Sequence, residues 1–330
     1  MNVVYQSDDR LRRHKGNASV ITSPFANRLR KNHARLKRFA GREGLSALRL
    51  YDVDIPEYRF LVDRYGDRVQ VVELERRGFV KASAREAQRE EVLQAIQEVL
   101  GVEAEAIRWK VKAPKVWGAE QYEKLGESGA RFVVEEQGLR FWVNLDDYID
   151  TGLFLDHRLT RARVRSEAAG KRFLNLFCYT GSFTVYAAAG GASETVSVDL
   201  SNTYLDWTRD NLELNGLWSP AHHLVRSDVT RWLGQNADQR FDLIVLDPPS
   251  FSASKKMATT FEVQRDHVGL LEDTAALLAP GGLLYFSTNF RGFELERGAL
   301  PGLHFEELTP ASIPEDFRDK SIHHCWRIHR

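Results

Sequence analysis

The chain of 330 residues contains little cysteine, no net charge and no long apolar run. Its two cysteines, Cys178 and Cys325, lie far apart and form no CxxC pair, which argues against a disulfide framework or a zinc cluster. No segment reaches membrane-spanning length, and the first residues lack the apolar core of a signal peptide. We therefore expect a cytoplasmic protein that binds neither a metal nor a membrane.

The length predicts two domains, because a single core usually stops growing below 330 residues. We expect a basic flexible tail over residues 1–23, a small α/β domain over 24–150 and a larger α/β domain over 151–330. In the small domain, alternating apolar and polar residues predict extended segments over 47–60, 68–75 and 106–112, and a hairpin over 131–145 that turns at Gln137-Gly138. An amphipathic helix is predicted over 83–100.

The larger domain is organised around residues 171–200. A buried apolar strand over 173–177 breaks at Gly181, a helix follows over 184–189, and a second strand over 194–198 stops at Asp199. An acid at the tip of the second strand is typical of a site for a nucleoside-containing cofactor, with the carboxylate accepting hydrogen bonds from the ribose hydroxyls. Taken alone the pattern is weak. A dinucleotide fingerprint needs three glycines where this loop has only Gly181, so a nicotinamide oxidoreductase is disfavoured. A turn that binds no cofactor has the same pattern.

The segments that follow strengthen the cofactor hypothesis. A helix is predicted over 202–217 and a strand over 222–225 that leads to Asp228, whose carboxylate is placed to accept from an adenine amino group. The buried strand over 241–246 opens into Asp247-Pro248-Pro249, and two prolines cannot continue a strand ladder. Such a rigid turn can hold a planar base. A helix over 271–278 and strands over 283–287, 304–308 and 322–328 complete the prediction.

The loop before the first strand of this domain is predicted to fold over the amino-acid end of the cofactor. In this hypothesis Asp156 faces an ammonium group and Arg158 faces a carboxylate. Two structural alternatives stay open: Asp156 caps the following helix, and Arg158 lies on the surface.

The formal net charge is zero, yet the region from Arg10 to Arg42 contains many basic residues and no Asp or Glu. Ser23-Pro24 predicts a helix start, and Leu29, Leu36 and Phe39 then fall on roughly one face. The cations are left to bind a polyanion such as RNA, although a solvated helix has the same pattern. A second basic group surrounds Trp117, which fits either an exposed stacking residue or a core residue. This second basic group consists of Lys110, Lys112 and Lys115.

The order of these motifs resembles the class I S-adenosylmethionine-dependent methyltransferases, a Rossmann-like fold with a mostly parallel seven-stranded sheet and helices on both faces. The motifs are LFCYTGSF for the glycine loop, VDLS for the ribose acid, RSDVTRWL for the adenine edge and DPPSF for the substrate turn. Further stretches, among them YDVDIPEY, WVNLDDYIDTGLFLDHR and IHHCW, are similar to the half of a fused bacterial large-subunit enzyme that makes 7-methylguanosine in helix 74 of 23S ribosomal RNA. This resemblance implies a freestanding chain that acts on 23S ribosomal RNA or on a large-subunit assembly intermediate, with the small domain recognising RNA.

The resemblance also implies site residues. The predicted cofactor-binding residues are Phe154, Asp156, Arg158, Asn175, Cys178, Tyr179, Thr180, Gly181, Ser182, Phe183, Asp199, Leu200, Ser201, Asp228, Val229 and Asp247. The predicted catalytic residues are Asp247, Pro248, Pro249 and Phe251. The predicted RNA-binding residues are Arg28, Arg30, Lys31, Arg35, Lys37, Arg38, Lys112, Lys115, Lys255, Lys256 and Arg291.

The cysteine positions favour one methylation chemistry over another. Methylation at carbon 5 of a pyrimidine needs a cysteine thiolate beside the base, and the position after the prolines holds Ser250 instead. Guanine N7 carries an exposed lone pair, so its methylation needs neither a general base nor a covalent step. In this hypothesis Asp247 accepts from guanine N1-H and N2-H, and Phe251 stacks on the ring. The alternatives are a guanine N2-methyltransferase and a methyltransferase-like assembly protein that binds RNA without catalysis.

Overall fold

The computed structural model describes residues 21–75, 82–112, 126, 129–148, 150–252 and 260–330. The first helix, α1 (Pro24–Glu43), begins as the sequence predicts: Ser23 Oγ accepts the Ala26 amide at 3.1 Å, and Pro24 occupies the first turn. It ends at Gly44, whose φ of 62° a glycine adopts without strain. The buried side chains of Leu29 and Leu36 confirm the predicted apolar face.

A four-stranded sheet follows α1. Its strands are β1 (Ala47–Asp52), β2 (Phe60–Tyr65), β3 (Arg68–Leu74) and β4 (Ile107–Lys112). The helix α2 (Ala82–Leu100) connects β3 to β4 along the chain. The order is β1-β2-β3-β4, with the first three strands antiparallel and β4 parallel to β3. The prediction of a single extended segment over 47–60 was wrong. The chain leaves β1 at Val53, where φ is 48°, and a new strand begins at Phe60.

The predicted hairpin forms as β5 (Phe132–Glu136) and β6 (Leu139–Val143). Its Phe141 stacks on Tyr186 with ring centroids 6.0 Å apart, so the hairpin packs against the second half of the chain. The predicted domain boundary at residue 150 stays a prediction, since residues on both sides of it share this core.

The second half forms the predicted seven-stranded sheet. In chain order its elements are α3 (Arg158–Glu167), β7 (Arg172–Leu176), α4 (Ser182–Ala189), β8 (Glu194–Asp199), α5 (Asn202–Leu214), β9 (His222–Arg226), α6 (Val229–Gln235), β10 (Phe241–Leu246), β11 (Phe251–Ser252), β12 (Phe261–Glu262), α7 (Val263–Ala276), β13 (Leu278–Thr288), β14 (His304–Glu307), α8 (Thr309–Ser312) and β15 (His324–His329). The strand order is β14-β15-β13-β10-β7-β8-β9, and β11 pairs separately with β12.

Helices cover both faces of this sheet, as its continuous apolar strands require. Leu174 and Leu176 of β7 pack on the side of α6 and α7, whereas Phe173 packs on the side of α3 and α4. The strands β9, β8, β7, β10 and β13 run parallel, so their carboxyl ends share one edge. That edge is where ligands bind in open α/β sheets.

Two boundaries differ from the sequence predictions. Helix α7 runs over Val263–Ala276, earlier than the predicted 271–278, and β13 already begins at Leu278. The predicted stop at Pro280-Gly281-Gly282 is a bulge inside β13, where pairing with β10 steps from Leu278 to Leu283. Among the described residues, no helix combines the length and apolarity needed to cross a membrane.

Candidate active site

The turn between β7 and α4 is tightly constrained. Phe177, Tyr179 and Gly181 all have positive φ, at 57°, 51° and 72°. Only a glycine fits at position 181, because an added Cβ would lie 2.2 Å from Thr208 Cγ2. Positive φ at two non-glycine residues is a strained arrangement of the kind that occurs at ligand-binding turns.

Asp199 ends β8 beside this turn, as the sequence predicts. Its Oδ2 accepts the Tyr179 amide at 3.0 Å and its Oδ1 accepts the Ser201 amide at 2.9 Å. These two bonds tie the glycine turn to the start of α5, and the half-buried carboxylate keeps further lone pairs for a ligand. Burial raises the pKa of Asp199 to about 6, although the backbone hydrogen bonds oppose this.

The loop upstream of α3 is fixed onto the glycine turn. The Gly152 amide donates to Tyr179 Oη at 3.0 Å, and Thr180 Oγ1 donates to the Gly152 carbonyl at 2.6 Å. Phe154 lies against Tyr179 with ring centroids 5.1 Å apart. These contacts place the loop on the glycine turn, and its predicted position over the amino-acid end of the cofactor stays a prediction.

Arg158 does not have the environment that its predicted role requires. Its side chain is 1% exposed and donates to Glu136, Asp316 and the Ala47 carbonyl at 3.1, 2.9 and 2.9 Å. All of its guanidinium nitrogens are used within the protein, so the prediction that it holds a cofactor carboxylate was wrong.

Several other predicted cofactor residues are enclosed by protein. Asn175 is 1% exposed and donates to Thr184 Oγ1 at 2.9 Å, so its amide stabilises the contact between β7 and α4. Asp228 Oδ1 accepts the Arg231 amide at 3.1 Å and caps α6, and its adenine contact stays a prediction. Buried side chains also belong to Cys178, Tyr179, Thr180, Phe183 and Val229. Half-buried positions at the edge belong to Phe154, Ser182, Asp199, Leu200, Ser201, Asp228 and Asp247.

The turn after β10 brings Asp247 to the same edge. Because Leu246 of β10 pairs with Leu176 of β7, Asp247 lies next to the start of the glycine turn. Its Oδ1 accepts a hydrogen bond from Ser287 Oγ at 2.6 Å. Pro248 and Pro249 are buried, and Phe251 is half-buried at the start of β11. The side chain of Asp247 is 24% exposed, so it is both anchored and accessible.

Both cysteine thiols are buried and protonated. Burial raises the pKa of Cys178 well above its ordinary value and raises the pKa of Cys325 to about 12. A thiolate is the nucleophilic form of cysteine, so neither side chain is suited to covalent attack on a base.

The sequence analysis missed a histidine beside Asp247 and a second histidine stacked on it. His157 Nε2 lies 3.6 Å from Asp247 Oδ2, and its ring stacks on that of His323. His157 falls within the quoted motif around Phe154, but nothing in the local sequence pairs it with a residue that lies 166 positions later in the chain.

The predicted basic residues lie in four different environments. On α1, the residues Arg28, Lys31, Lys37 and Arg38 are exposed, whereas Arg30 pairs with Glu98 at 2.7 Å and Arg35 with Glu315 at 2.5 Å. Lys112 is exposed, and Arg291 is exposed and pairs with Asp319. Lys115, Trp117, Lys255 and Lys256 lie outside the described residues. Lys110 is buried, and its Nζ donates to Gln70 Oε1 and the Tyr148 carbonyl.

Comparison with known proteins agrees with this geometry. The chain is 51% identical over 308 residues to Ribosomal RNA large subunit methyltransferase K of Neisseria meningitidis, covering 93% of this chain and 87% of that protein. It is 52% identical over 307 residues to Ribosomal RNA large subunit methyltransferase K/L of Syntrophotalea carbinolica, but spans only 43% of that protein's length.

A solved structure and a family model give the same assignment. A protein described as a methyltransferase and crystallised with SAH superimposes with a TM-score of 0.74 at 26% identity, covering 95% of this chain and 83% of that one. The model of the S-adenosylmethionine-dependent methyltransferase family matches residues 85–320. The chain belongs to the S-adenosylmethionine-dependent methyltransferase family.

Proposed function

We propose that the protein transfers a methyl group from S-adenosylmethionine to guanine N7 in the helix 74 region of 23S ribosomal RNA, without a covalent enzyme intermediate. The observation that carries this proposal is Asp247, which is anchored by Ser287 and accessible at the edge that also holds Asp199 and the glycine turn. The names of the relatives from Neisseria meningitidis and Syntrophotalea carbinolica support a large-subunit ribosomal RNA substrate.

The residues at the edge suit the cofactor. Asp199 would accept the ribose hydroxyls, Leu200 and Ser201 would flank the nucleoside, and Phe154 would cover the amino-acid end. The cofactor supplies an electrophilic methyl group on a sulfonium ion. Because Arg158 and Asn175 are buried and hydrogen-bonded within the protein, we leave them out of this set.

The chain's own contribution to catalysis would be to position the base. Asp247 accepts from guanine N1-H and N2-H, and the buried prolines fix the backbone beside it. Holding N7 in line with the methyl group accounts for roughly 7–11 kcal/mol of barrier lowering, by analogy with oriented intramolecular reactions. No proton leaves N7, so no general base is required.

Guanine N2 is the second candidate, favoured by one specific observation. An amine loses a proton during methylation, and the accessible carboxylate of Asp247, whose side chain is 24% exposed, is placed to accept it. The two candidates differ in their product, so analysis of the methylated nucleoside separates them.

The substrate class is tested with labelled S-adenosylmethionine and three unmodified RNAs: 23S ribosomal RNA, 16S ribosomal RNA and bulk tRNA. We expect label in 23S ribosomal RNA only. Label mainly in tRNA or 16S ribosomal RNA would refute the proposed substrate. Bound cofactor without transfer to any RNA or to a large-subunit assembly intermediate would favour a binding protein.

The pKa of Asp199 predicts how cofactor affinity depends on pH. The ionised carboxylate is the better acceptor for ribose hydroxyls, and its pKa of about 6 means that it becomes protonated as the pH falls through 6. We expect the Kd for SAH to be constant above pH 7 and to rise below pH 6. Asp199→Asn should bind more weakly and without this pH dependence. A flat wild-type profile between pH 8 and pH 5 in calorimetric titrations would contradict the assignment.

The exposed cations of α1 predict a salt-dependent contribution to RNA binding. The triple variant Lys31→Gln, Lys37→Gln and Arg38→Gln should weaken RNA binding and reduce the slope of log K against log salt by about 0.7–0.9 for each phosphate that the helix no longer neutralises. A matched triple variant of exposed arginines elsewhere, Arg163→Gln, Arg231→Gln and Arg240→Gln, should keep the wild-type slope. Equal slopes for the wild type and the α1 variant would show that these cations are only solvated.

A further inference from the structure

Two buried histidine rings stack on each other near the site, and one of them, His157, lies beside Asp247. The rings of His157 and His323 have centroids 4.6 Å apart and planes inclined by 13°. Phe183 packs edge-on against His157, with centroids 5.9 Å apart and planes inclined by 61°. The His157 side chain is 6% exposed and that of His323 is 0% exposed, so protein fixes both rings in place.

His157 faces two carboxylates. Its Nε2 lies 3.6 Å from Asp247 Oδ2 and 3.8 Å from Asp156 Oδ2. Asp156 is itself held, because its Oδ2 lies 2.8 Å from His323 Nδ1. His323 Nε2 in turn contacts Ser312 Oγ at 2.8 Å. A chain of polar groups thus links Ser312 on α8 to Asp247 at the site.

The surroundings of His157 Nδ1 indicate which ring nitrogen carries the proton. Within the described part of the chain, His157 Nδ1 is buried and has no hydrogen-bond partner. An unpartnered buried N–H would cost about 1–3 kcal/mol, so the neutral ring carries its proton on Nε2. The carboxylates of Asp247 and Asp156 are the acceptors near this N–H. The 3.6 Å separation between His157 Nε2 and Asp247 Oδ2 is long for a hydrogen bond, but contacts of this kind commonly tighten when a substrate binds.

A shared metal ion does not suit the two rings. Ligand atoms of Asp156, His157 and His323 lie within 4.8 Å of one another. Imidazole lone pairs lie in the ring plane, and these two planes are nearly parallel and stacked, so one ion cannot lie in both. The geometry favours hydrogen bonding.

We propose that His157 is a positioning residue that holds the Asp247 carboxylate in the orientation that receives the target base. The inference rests on the proposed function, since it takes Asp247 as the residue that contacts the base. Asp156, His323 and Ser312 keep the imidazole of His157 in place, and Ser287 holds the other oxygen of Asp247.

The charges around His157 predict a pH dependence. Burial lowers the pKa of His157, opposed by Asp247 and Asp156, while His323 and Arg161 lower it further. The ring is therefore neutral near pH 7. When acid protonates it, the imidazolium ion-pairs with Asp247 and competes with the N–H groups of the base. We expect kcat to fall on the acid side through this ionisation.

The kinetic test compares His157→Phe and His157→Gln with the wild type. His157→Phe keeps the ring stack but loses the donor, so kcat should fall about tenfold while KM for RNA and the Kd for SAH stay near wild type. His157→Gln keeps an N–H donor and should recover most of kcat near neutral pH without the acid decline. A purely structural role predicts no difference in pH profile between His157→Gln and the wild type, and that result would overturn the proposal.

A matched control is another stacked histidine pair, His304 on the edge strand β14 and His329 on its neighbour β15, with ring centroids 5.1 Å apart. His304→Gln should leave both kcat and its pH profile unchanged. A tenfold loss in this control would show that the assay reports general destabilisation, and would overturn the interpretation of His157→Phe.

A second measurement does not depend on catalysis. In protein with ¹³C-labelled histidine, the NMR titration of His157 is assigned by its absence in His157→Gln. Asp247→Asn removes a carboxylate that raises the pKa of His157, so this pKa should fall in that variant. An unchanged pKa would overturn the proposed contact even if the wild type methylated no guanine, whereas inactive wild type with a lowered pKa would refute only the proposed function. Stoichiometric zinc or iron in the purified protein would also overturn the hydrogen-bonded arrangement.

Discussion

Replacement of Glu136 by alanine is expected to lower the free energy of unfolding by about 3–5 kcal/mol, the cost of leaving buried charges uncompensated. Glu136 lies at the end of β5, is 1% exposed and pairs with Arg158 at 3.1 Å and Arg161 at 2.7 Å. Both arginine side chains are at most 1% exposed, and Tyr186 Oη also donates to Glu136 at 2.9 Å. Urea unfolding measures the difference.

The neighbouring residue supplies the control for Glu136→Ala. Glu135 lies on the same strand with its side chain exposed, so Glu135→Ala should change the free energy of unfolding little. Glu136→Gln keeps the shape and one acceptor oxygen, and should fall between the two. Equal stabilities of Glu135→Ala and Glu136→Ala would contradict the structural role assigned to this ion network.

Asp247→Ala is expected to reduce kcat for methyl transfer by roughly 100-fold or more, similar to the loss of a preorganised polar group in other active sites. The side chain is anchored by Ser287 at 2.6 Å and accessible at the ligand edge, so its loss removes a fixed acceptor for the base. Affinity for SAH should stay near wild type, because Asp199 and the glycine turn are untouched. Single-turnover transfer to RNA and calorimetry with SAH measure the two effects.

Two further variants are compared with Asp247→Ala. Asp238→Ala removes an exposed carboxylate between α6 and β10 and should keep full activity. Ser287→Ala removes the hydroxyl that anchors Asp247 Oδ1 and should cost about tenfold, as one hydrogen bond to a charged group does. Full activity of Asp247→Ala would remove the residue from the proposed mechanism.

The parts of the fold that were predictable from sequence depend on local rules. Ser23-Pro24 starts α1, the buried run before Gly181 gives β7, and Asp199 ends β8 as expected. Each of these features is set by residues a few positions apart, through capping, backbone conformation or strand burial. The two prolines after β10 likewise mark the end of the strand within the sequence itself.

The parts that were missed depend on residues far apart in the chain. Arg158 has the sequence context of a loop residue near a cofactor, but its partner Asp316 lies 158 residues away and draws it into the core. His157 is next to a recognised motif, yet its role depends on His323 and Asp247. Hydrophobic periodicity reports which face is buried. It does not report which buried polar groups meet.

The central claim, non-covalent transfer to guanine N7, is tested most directly by the identity of the methylated nucleoside. Unmodified 23S ribosomal RNA is incubated with the full chain and labelled S-adenosylmethionine, digested to nucleosides and analysed by mass spectrometry. We expect the label in 7-methylguanosine. Label in N2-methylguanosine would move Asp247 to a proton-handling role, and label in 5-methylcytosine would contradict both the base and the non-covalent chemistry.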